Sequence, residues 1–458
     1  MKITKIECAG LRGATPEGGW SNELRPEDCV QTLVAVHTEE GLIGLGSTFT
    51  NDQLVRAALA VLAPLYVGEN ALEPERVSEK LHQNTFWMGR GGSLTHAISG
   101  IDIALWDLLG QVTKQPVGRL LGGRYRERVR PYASLLMEEP GALAEHLRAV
   151  KAQGFRAFKI GWGPFGRRNQ ALDEAIVSAA REAVGADSLL MVDAGGSDAF
   201  WPQGYKWALR TAEMLAHYGV AWFEEALPPD ALEDYVQLRR RAPLPIAGGE
   251  VLTRRQSFQP WLQQGAWDIV QPDVTKVGGI SEERRIAWMA KENGVKFIPH
   301  GWNTGIGLAA DLQLASAFPD TDLVEYLTGS PFIDELVAGG WHLDAEGMLS
   351  IPDRPGLGVS LNPEALAKYT RGEKRLEQRV SSQGATIAGA MRHCGLQPLA
   401  RARPVANAAM APRPSSTMKA RSAQSWSAHR IPAISGPLRD RPRAPRAAPA
   451  IPGRCPAW

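Results

Sequence analysis

The feature that most constrains the fold of this 458-residue chain is a unit that recurs seven times, a short apolar run that ends in a chargeable residue. The runs are Phe155–Lys159, Leu189–Asp193, Ala221–Glu224, Ile246–Glu250, Ile269–Asp273, Phe297–His300 and Leu323–Glu325. Helix-like stretches such as Ala171–Val184 separate them, a pattern typical of parallel strands buried on both faces. Successive end residues are 34, 31, 26, 23, 27 and 25 positions apart, the length of a strand-helix unit in a β/α barrel.

The strand-end residues favour a barrel over an open doubly wound sheet. Only closure brings seven chargeable strand ends around one mouth, and Val129–Leu136 supplies an eighth strand. Earlier in the chain, Ile3–Glu7, Cys29–His37 and Leu42–Gly46 alternate like antiparallel strands, and helical patterns follow them. We therefore predict an α/β protein with a TIM-like β/α barrel at residues 126–372 and an N-terminal α+β capping domain at residues 1–125.

The charge of the chain is unevenly distributed. Residues 381–458 hold 12 Lys or Arg and one acid, Asp440, whereas the rest of the chain holds 39 basic and 48 acidic residues. The same segment contains 11 Pro and 18 Ala, a composition that buries too little surface to offset the entropy of ordering. We predict a disordered basic tail at residues 373–458. The alternative is an arm that contacts nucleic acid nonspecifically.

The sequence predicts a soluble, cytoplasmic protein. No run approaches the roughly 18 to 20 apolar residues of a membrane helix, and Met1–Glu7 lacks the apolar block of a signal peptide. The four cysteines, Cys8, Cys29, Cys394 and Cys455, show no C-x-x-C spacing, so we expect reduced thiols rather than a zinc site or a disulfide framework.

Three acids at successive strand ends predict a metal site. Asp193, Glu224 and Glu250 would point into one mouth, where they could not all remain ionised without a compensating cation. Oxygen-only ligands with three negative charges favour one Mg²⁺ over zinc. A single strand-end acid is more often a helix cap or an ion-pair partner, but three in succession favour the metal site. Glu225 should point the other way along the strand and is assigned a structural role.

The next strand ends predict a general base. The carboxylate of Asp273 can hold one nitrogen of the His300 imidazole while the other nitrogen faces the mouth. Glu325, if protonated, could donate a hydrogen bond to an oxyanion, and Lys159 could neutralise a carboxylate. The alternative for the pair is a buried histidine bonded to an acid for packing, and for Lys159 an ordinary ion pair.

Two motifs make a family resemblance specific: Ala97–Leu109 with downstream Leu120–Gly123, and Gln271–Gly279. Over residues 1–372 the chain resembles the mandelate racemase and muconate lactonising branch of the enolase superfamily. The resemblance implies a modified, enolase-type barrel. It also implies magnesium ligands at Asp193, Glu224 and Glu250, a histidine-aspartate dyad at His300 and Asp273 like that of the mandelate racemase subgroup, and an enolate-stabilising glutamate at Glu325. Lys276 lies beyond the strand end and is interpreted as structural.

Three departures from the family pattern bear on the reaction. Gly161 stands where a second lysine is usual, Gly195 where an asparagine is frequent, and Ala226 where a proline is usual. Because racemisation needs an acid on the opposite face of the substrate, the missing lysine favours a one-base elimination of water. We predict an acid-sugar dehydratase that gives a 2-keto-3-deoxy acid. The alternatives are a racemase or epimerase of a 2-hydroxy acid and an inactive barrel that serves as a binding or scaffold protein.

Substrate contacts are expected from loops around the mouth. The candidates are Trp20, Arg90, Trp302 and Asn303. Loops around Pro16–Glu23 and Thr48–Gln53 of the capping domain could close over the barrel. The expected partners are a small carboxylate substrate and further copies of the chain in a homo-oligomer, with no membrane.

Overall fold

The computed structural model describes residues 1–13, 30–198 and 200–370. The predicted tail at residues 373–458 lies outside these ranges, and so does Trp20. Within them, none of the helices has the length and apolarity that crossing a membrane requires.

The N-terminal part is a three-stranded antiparallel sheet covered by helices. Strand β1 (Ile3–Leu11) pairs with β2 (Gln31–Thr38), which pairs with β3 (Ile43–Thr48). The helices are α1 (Asp52–Tyr66), α2 (Pro74–Thr85), a 3-10 turn at Phe86–Met88, α3 (Gly92–Thr113) and α4 (Val117–Leu120). The predicted α+β capping domain is confirmed.

Two glycines of β3 let α3 lie directly against the sheet. A Cβ atom at Gly46 would lie 2.0 Å from the carbonyl oxygen of Gly100, and one at Gly44 would lie 2.1 Å from that of Ala104. Neither position has room for a side chain. The sheet covers one face of α3 and neighbouring helices cover the others, so every residue from Ala97 to Leu108 is buried.

Eight parallel strands form the second part, and a helix follows each of them. The strands are β4 (Arg128–Leu136), β5 (Ala157–Gly161), β6 (Leu189–Asp193), β7 (Phe223–Glu224), β8 (Ile246–Gly248), β9 (Ile269–Val270), β10 (Lys296–Phe297) and β11 (Leu323–Leu327). The helices are α5 (Pro140–Ala152), α6 (Gln170–Val184), α7 (Tyr205–His217), α8 (Leu232–Arg241), α9 (Arg254–Gln264), α10 (Gly279–Glu292), α11 (Gly305–Ala317) and α12 (Pro331–Asp334). The chain continues with β12 (Leu349–Ser350), antiparallel to β4, and α13 (Pro363–Tyr369).

The strands follow the order β10, β9, β8, β7, β6, β5, β4, β11. The hydroxyl of Thr321, just before β11, donates a 3.0 Å hydrogen bond to the carbonyl of Phe297 in β10, which connects the two ends of this order. One packed cluster takes a side chain from each of the eight strands or from a residue beside it: Tyr132, Ala157, Met191, Trp222, Ala247, Ile269, Ile298 and Leu323. A ring of this kind fills the interior of a closed barrel, so the barrel prediction is confirmed.

Two buried acids of α3 tie the capping domain to the barrel. Asp102 accepts hydrogen bonds from the backbone N–H and the hydroxyl of Ser281 in α10, at 2.9 and 2.5 Å, and from the Ser78 hydroxyl at 2.6 Å. Asp107 accepts one from the backbone N–H of Leu357 at 2.9 Å. Burial raises the pKa of Asp102 to about 7 and the pKa of Asp107 to about 6. Both acids belong to the first family-like motif, which is therefore structural.

The contact between β3 and α3 is testable by substitution. We expect Gly46→Ala to lower the free energy of unfolding by about 1–3 kcal/mol or more, because the added methyl group meets a backbone oxygen that only a backbone shift can move. Gly141→Ala is the matched control, since a Cβ at Gly141 in α5 meets nothing within 4 Å and should be neutral or stabilising by up to about 1 kcal/mol. Urea unfolding measures both, and equal effects would contradict the packing argument.

Candidate active site

The barrel mouth brings three carboxylates together. Asp193 ends β6, Glu224 ends β7 and Glu250 follows β8 by two residues. Carboxylate oxygens of the three lie within 4.8 Å of one another, and all three side chains are buried. Burial, followed by the negative charges of Glu224 and Glu250, raises the pKa of Asp193 well above its ordinary value. The structure thus brings together the three acids that the sequence predicted as metal ligands.

The chemistry of this donor set fits a hard divalent cation. All the donors are carboxylate oxygens, which Mg²⁺ and Ca²⁺ prefer, and no sulfur or imidazole belongs to the triad. The pKa of Asp193 is raised by burial and then by repulsion from Glu224 and Glu250, and a bound cation would offset both effects. The triad could therefore hold a metal ion.

Lys159 lies among these carboxylates as a buried cation. Its Nζ is 2.6 Å from Oε1 of Glu224, 3.0 Å from Oε1 of Glu325 and 3.8 Å from Oδ2 of Asp193. Burial lowers the pKa of Lys159, but Glu224 and Glu325 outweigh burial and raise the pKa well above its ordinary value. The lysine therefore stays charged and offsets part of the negative charge.

Glu224 is held on both of its oxygens. While Oε1 contacts Lys159, Oε2 accepts hydrogen bonds from the indole N–H of Trp222 at 2.9 Å and from the side-chain amide of Gln271 at 2.8 Å. The second family-like motif begins at Gln271, so it contributes directly to the fixed position of this carboxylate.

His300 and Asp273 form a dyad on the same rim. The two residues follow β10 and β9, and their side chains are buried. Oδ1 of Asp273 accepts from the backbone N–H and the hydroxyl of Thr275, at 2.7 and 2.5 Å, which leaves Oδ2 for Nδ1 of His300 at 2.8 Å. Nε2 of His300 lies 3.0 Å from Oε2 of Glu250. The imidazole therefore presents Nε2 to the carboxylate cluster.

The charge state of His300 is set by opposing neighbours. Burial lowers its pKa, whereas Glu250 and Glu325 raise it, and the net pKa lies well above the ordinary value. The pKa of Glu250 is correspondingly lowered, because His300 and Lys276 outweigh the effect of burial.

Glu325 lies in β11 with its carboxylate fixed. Oε2 accepts from the backbone N–H of Gly301 at 2.8 Å and from the Tyr132 hydroxyl at 3.3 Å. Burial raises the pKa of Glu325, but Lys159 and His300 outweigh burial and lower the pKa. These surroundings favour the ionised carboxylate, the opposite of the protonated donor that the sequence suggested.

The strand ends open into a cavity of about 270 Å³. The barrel lines it with Lys159, Asp193, Glu250 and His300, and the capping domain lines it with Phe49 and His96. Phe49 lies in the loop around Thr48–Gln53 that was expected at the mouth. Carboxylates, cations and an imidazole thus share one cavity.

Sequence reasoning placed Lys276 outside the site and did not single out His96 or Trp162, yet all three line the cavity. Lys276 is buried with its Nζ 3.6 Å from both Glu250 and Asp273, because a turn bonds its backbone N–H to the Asp273 carbonyl at 3.0 Å. The only sequence signal that Lys276 reaches the cavity is its position three residues after Asp273. Nδ1 of His96 in α3 lies 3.1 Å from the Thr50 hydroxyl, and burial, followed by the charge of Lys276, lowers the His96 pKa to about 4. Helical periodicity gives no sign that His96 faces the barrel.

Of the three predicted substrate-contact residues within the described ranges, one lines the cavity and two lie elsewhere. Trp302 lines the cavity. Asn303 does not, because its side-chain amide is buried and donates to Asp311 in α11 at 3.1 Å. Arg90 is also displaced from the prediction, since it lines a separate cavity with His82 and Arg254.

The loop between the 3-10 turn and α3, which contains Arg90, explains the position of this side chain. The backbone carbonyl of Arg90 accepts a 3.1 Å hydrogen bond from the Thr253 hydroxyl, while its guanidinium lies 5.7 Å from the centroid of the Phe86 ring. The loop is therefore docked on the barrel through its backbone, with the side chain turned toward the 3-10 turn.

Models of two protein families match this chain. The model described as Enolase C-terminal domain-like matches residues 142–365. The model described as Mandelate racemase / muconate lactonizing enzyme, N-terminal domain, matches residues 27–122.

Individual relatives match nearly their whole length. The chain is 33% identical over 386 residues to a D-galactarolactone cycloisomerase of Agrobacterium fabrum, covering 81% of this chain and 99% of that protein. It is 32% identical over 341 residues to an arabinonate dehydratase of Saccharolobus solfataricus, covering 73% and 89%. The crystal structure of the 3,6-anhydro-D-galactonate cycloisomerase from Zobellia galactanivorans superposes with a TM-score of 0.73 at 29% identity, covering 81% of this chain and all of that one.

Removing the buried cation should destabilise the metal-free protein. Lys159→Met leaves Glu224 and Glu325 buried without their partner, and we expect a loss of about 3–5 kcal/mol in the free energy of unfolding at pH 7, measured with a chelator present. Without the charge of Lys159, the pKa of Glu325 should rise in the folded state, because burial then prevails. An acid whose folded-state pKa is raised loses stability as pH rises from its unfolded-state pKa toward the raised value, so the deficit should grow with rising pH over that interval.

The matched control for that substitution is Lys291→Met. Lys291 pairs with Asp320 at the surface, and such exposed pairs contribute at most about 1 kcal/mol. A Lys159 variant no less stable than the Lys291 variant would contradict the electrostatic account.

Proposed function

The chain belongs to the mandelate racemase and muconate lactonizing enzyme family, and on that premise we propose that it is a magnesium-dependent dehydratase of sugar acids. One observation carries the proposal. A carboxylate triad, a buried lysine and a histidine-aspartate dyad converge on a single cavity. The dehydratase among the relatives supports dehydration as the type of reaction.

The cation would be held by Asp193, Glu224 and Glu250, one ion per active site. When bound, Mg²⁺ supplies Lewis-acid polarisation of a substrate carboxylate, which acidifies the neighbouring α-proton. Lys159 already occupies one side of the triad, so its charge and that of the ion together balance the acids.

His300 is the proposed general base. Asp273 holds Nδ1, so in the neutral imidazole that acts as base the proton is on Nδ1 and the lone pair of Nε2 faces the cavity. A cation held by Glu250 would offset the negative charge that now lies 3.0 Å from Nε2 and would favour this neutral form. Nε2 is therefore the atom that removes the α-proton. The capping domain contributes Phe49 and His96 to the wall of the same cavity.

Lys159 is the proposed stabiliser of the enolate. Its charged ammonium lies in the cavity, where negative charge develops as the proton leaves. Glu325 holds Lys159 from the other side at 3.0 Å. In this proposal Glu325 acts as an ionised carboxylate that positions the lysine.

The elimination needs only one base. His300 takes the α-proton, the bond from the β-carbon to its hydroxyl breaks, and His300 returns the proton to the departing hydroxyl so that water leaves. The enol that remains tautomerises to a 2-keto-3-deoxy acid. Racemisation would need an acid on the β5 side, where Gly161 has no side chain to supply one.

A second candidate is a cycloisomerase, favoured by two relatives that carry this name. If the β-oxygen of the substrate belongs to a ring, the same proton removal and carbon-oxygen cleavage open the ring without releasing water. His300, Lys159 and the triad would keep the roles proposed above.

A substrate panel separates the candidates. Purified protein with MgCl₂ is incubated with aldonates, aldarates and their cyclic forms, and products are analysed for α-keto acids by mass. A dehydratase gives a keto acid one water lighter than its substrate, whereas a cycloisomerase gives one of unchanged mass. Exchange of the α-proton in heavy water without any keto acid would support racemase or epimerase chemistry, and no reaction at all would support the scaffold alternative.

Asp193→Asn should weaken metal binding and abolish turnover. Loss of a supporting hydrogen bond lowers metal affinity roughly 10–100-fold, and loss of a metal ligand should lower it by more. The rise in melting temperature with added MgCl₂ measures the affinity. Glu225→Gln is the matched control, because Glu225 is buried beside the triad but accepts its hydrogen bond from Ser197 at 2.6 Å. Equal binding by Asp193→Asn and wild type would refute the metal site.

His300→Asn should abolish proton removal while leaving metal binding in place. We expect unchanged magnesium binding within a few-fold, together with a loss of about 10²–10⁴-fold in turnover, since the general base is gone. Deuterium exchange at the α-carbon, followed by NMR, should disappear as well. Exchange at the wild-type rate would remove His300 from the mechanism.

A further inference from the structure

Trp162, directly after β5, has a backbone conformation that a bulky residue rarely adopts. Its φ angle is +62°, in the left-handed region. Its backbone N–H still donates to the Asp193 carbonyl at 3.1 Å, so the strand pairing of β5 with β6 continues up to this point. A strained residue that persists at the edge of an active site is held there by its surroundings.

The indole of Trp162 contacts the first carboxylate of the triad. Its Nε1 donates a hydrogen bond to Oδ2 of Asp193 at 3.1 Å, and the side chain lines the cavity. Oδ1 of the same carboxylate accepts from the backbone N–H of Gly195 at 2.8 Å. Both oxygens of Asp193 are therefore oriented by donors outside the triad.

One glycine leaves the space that this indole occupies, and a second leaves space for the Asp193 side chain. A Cβ atom at Gly195, where φ is +65°, would lie 2.7 Å from Cδ2 and 2.9 Å from Cγ of the Trp162 indole. A Cβ at Gly161 would lie 2.9 Å from the Cβ of Asp193. A side chain at position 195 would therefore clash with the indole in its observed position.

We propose that Trp162 is a positioning residue that holds Asp193 in the orientation needed for metal binding, that Gly195 provides the space for its indole, and that Gly161 provides the space for the Asp193 side chain. The inference rests on the proposed magnesium site. It also accounts for the part of the cavity wall beyond Lys159, where an indole that carries no titratable proton stands next to a glycine. Gly161 and Trp162 themselves supply no acid.

Magnesium affinity tests the hydrogen bond. Trp162→Phe keeps an aromatic ring and removes the N–H, and the dissociation constant for MgCl₂, measured from the rise in melting temperature without substrate, should increase about 10–100-fold. Trp201→Phe is the matched control, because the buried indole nitrogen of Trp201 has no hydrogen-bond partner among the described residues. That variant should bind magnesium within about twofold of wild type.

Asp193→Asn is measured in the same titration to separate the two proposals. Weak binding by both Trp162→Phe and Asp193→Asn supports the positioning role. If Asp193→Asn binds weakly and Trp162→Phe binds like wild type, the positioning role is overturned and the metal site stands. If both bind like wild type, both proposals fall.

A double-substitution cycle tests the space argument independently of metal. Gly195→Ala should lower the unfolding midpoint of the wild-type protein, and the drop should be at least halved when Trp162 is replaced by Gly, which tolerates the left-handed backbone. The strain of alanine at φ +65° is the same in both backgrounds and cancels. An equal drop in the two backgrounds would show that the indole and position 195 do not compete for space.

Discussion

Repulsion among buried carboxylates is the constraint on which the rest of this site depends. Asp193, Glu224 and Glu250 lie within 4.8 Å of one another, away from solvent, and the charge of Lys159 offsets only part of theirs. Such an arrangement is unfavourable unless other cations complete the balance. His300 and Lys276 also place positive charge near Glu250, at 3.0 and 3.6 Å, so the dyad is electrically linked to the triad.

The fold holds carboxylates of this site in place through hydrogen bonds from neighbouring donors. Glu224 is held by Trp222 and Gln271, Asp273 by Thr275, and Asp193 by Trp162. Gln271, Thr275 and Trp162 follow strand ends, and Trp222 belongs to the ring of side chains that fills the barrel. The capping domain contributes to the wall of the cavity and is anchored to the barrel through buried acids of α3.

The sequence was informative wherever burial imposes a regular pattern. Short apolar runs located the barrel strands, and because parallel strands end at one edge, their end residues located the triad and the dyad. Conformations that periodicity does not encode were missed. Lys276 returns to the cavity through a turn, Trp162 enters it through a left-handed backbone, and His96 depends on how α3 docks. The protonation state of Glu325 also required its neighbours, since Lys159 and His300 reverse the effect of burial on its pKa.

The central claim is that carboxylates distant in the chain share one divalent cation with an imidazole beside it. The most direct measurement is anomalous scattering from a crystal soaked with MnCl₂ as a heavier substitute for magnesium. The account predicts one peak per chain, in contact with oxygens of Asp193, Glu224 and Glu250 and in the cavity that Nε2 of His300 faces. A crystal with no peak at the triad, or with the ion bound elsewhere while the triad stays empty, would contradict it.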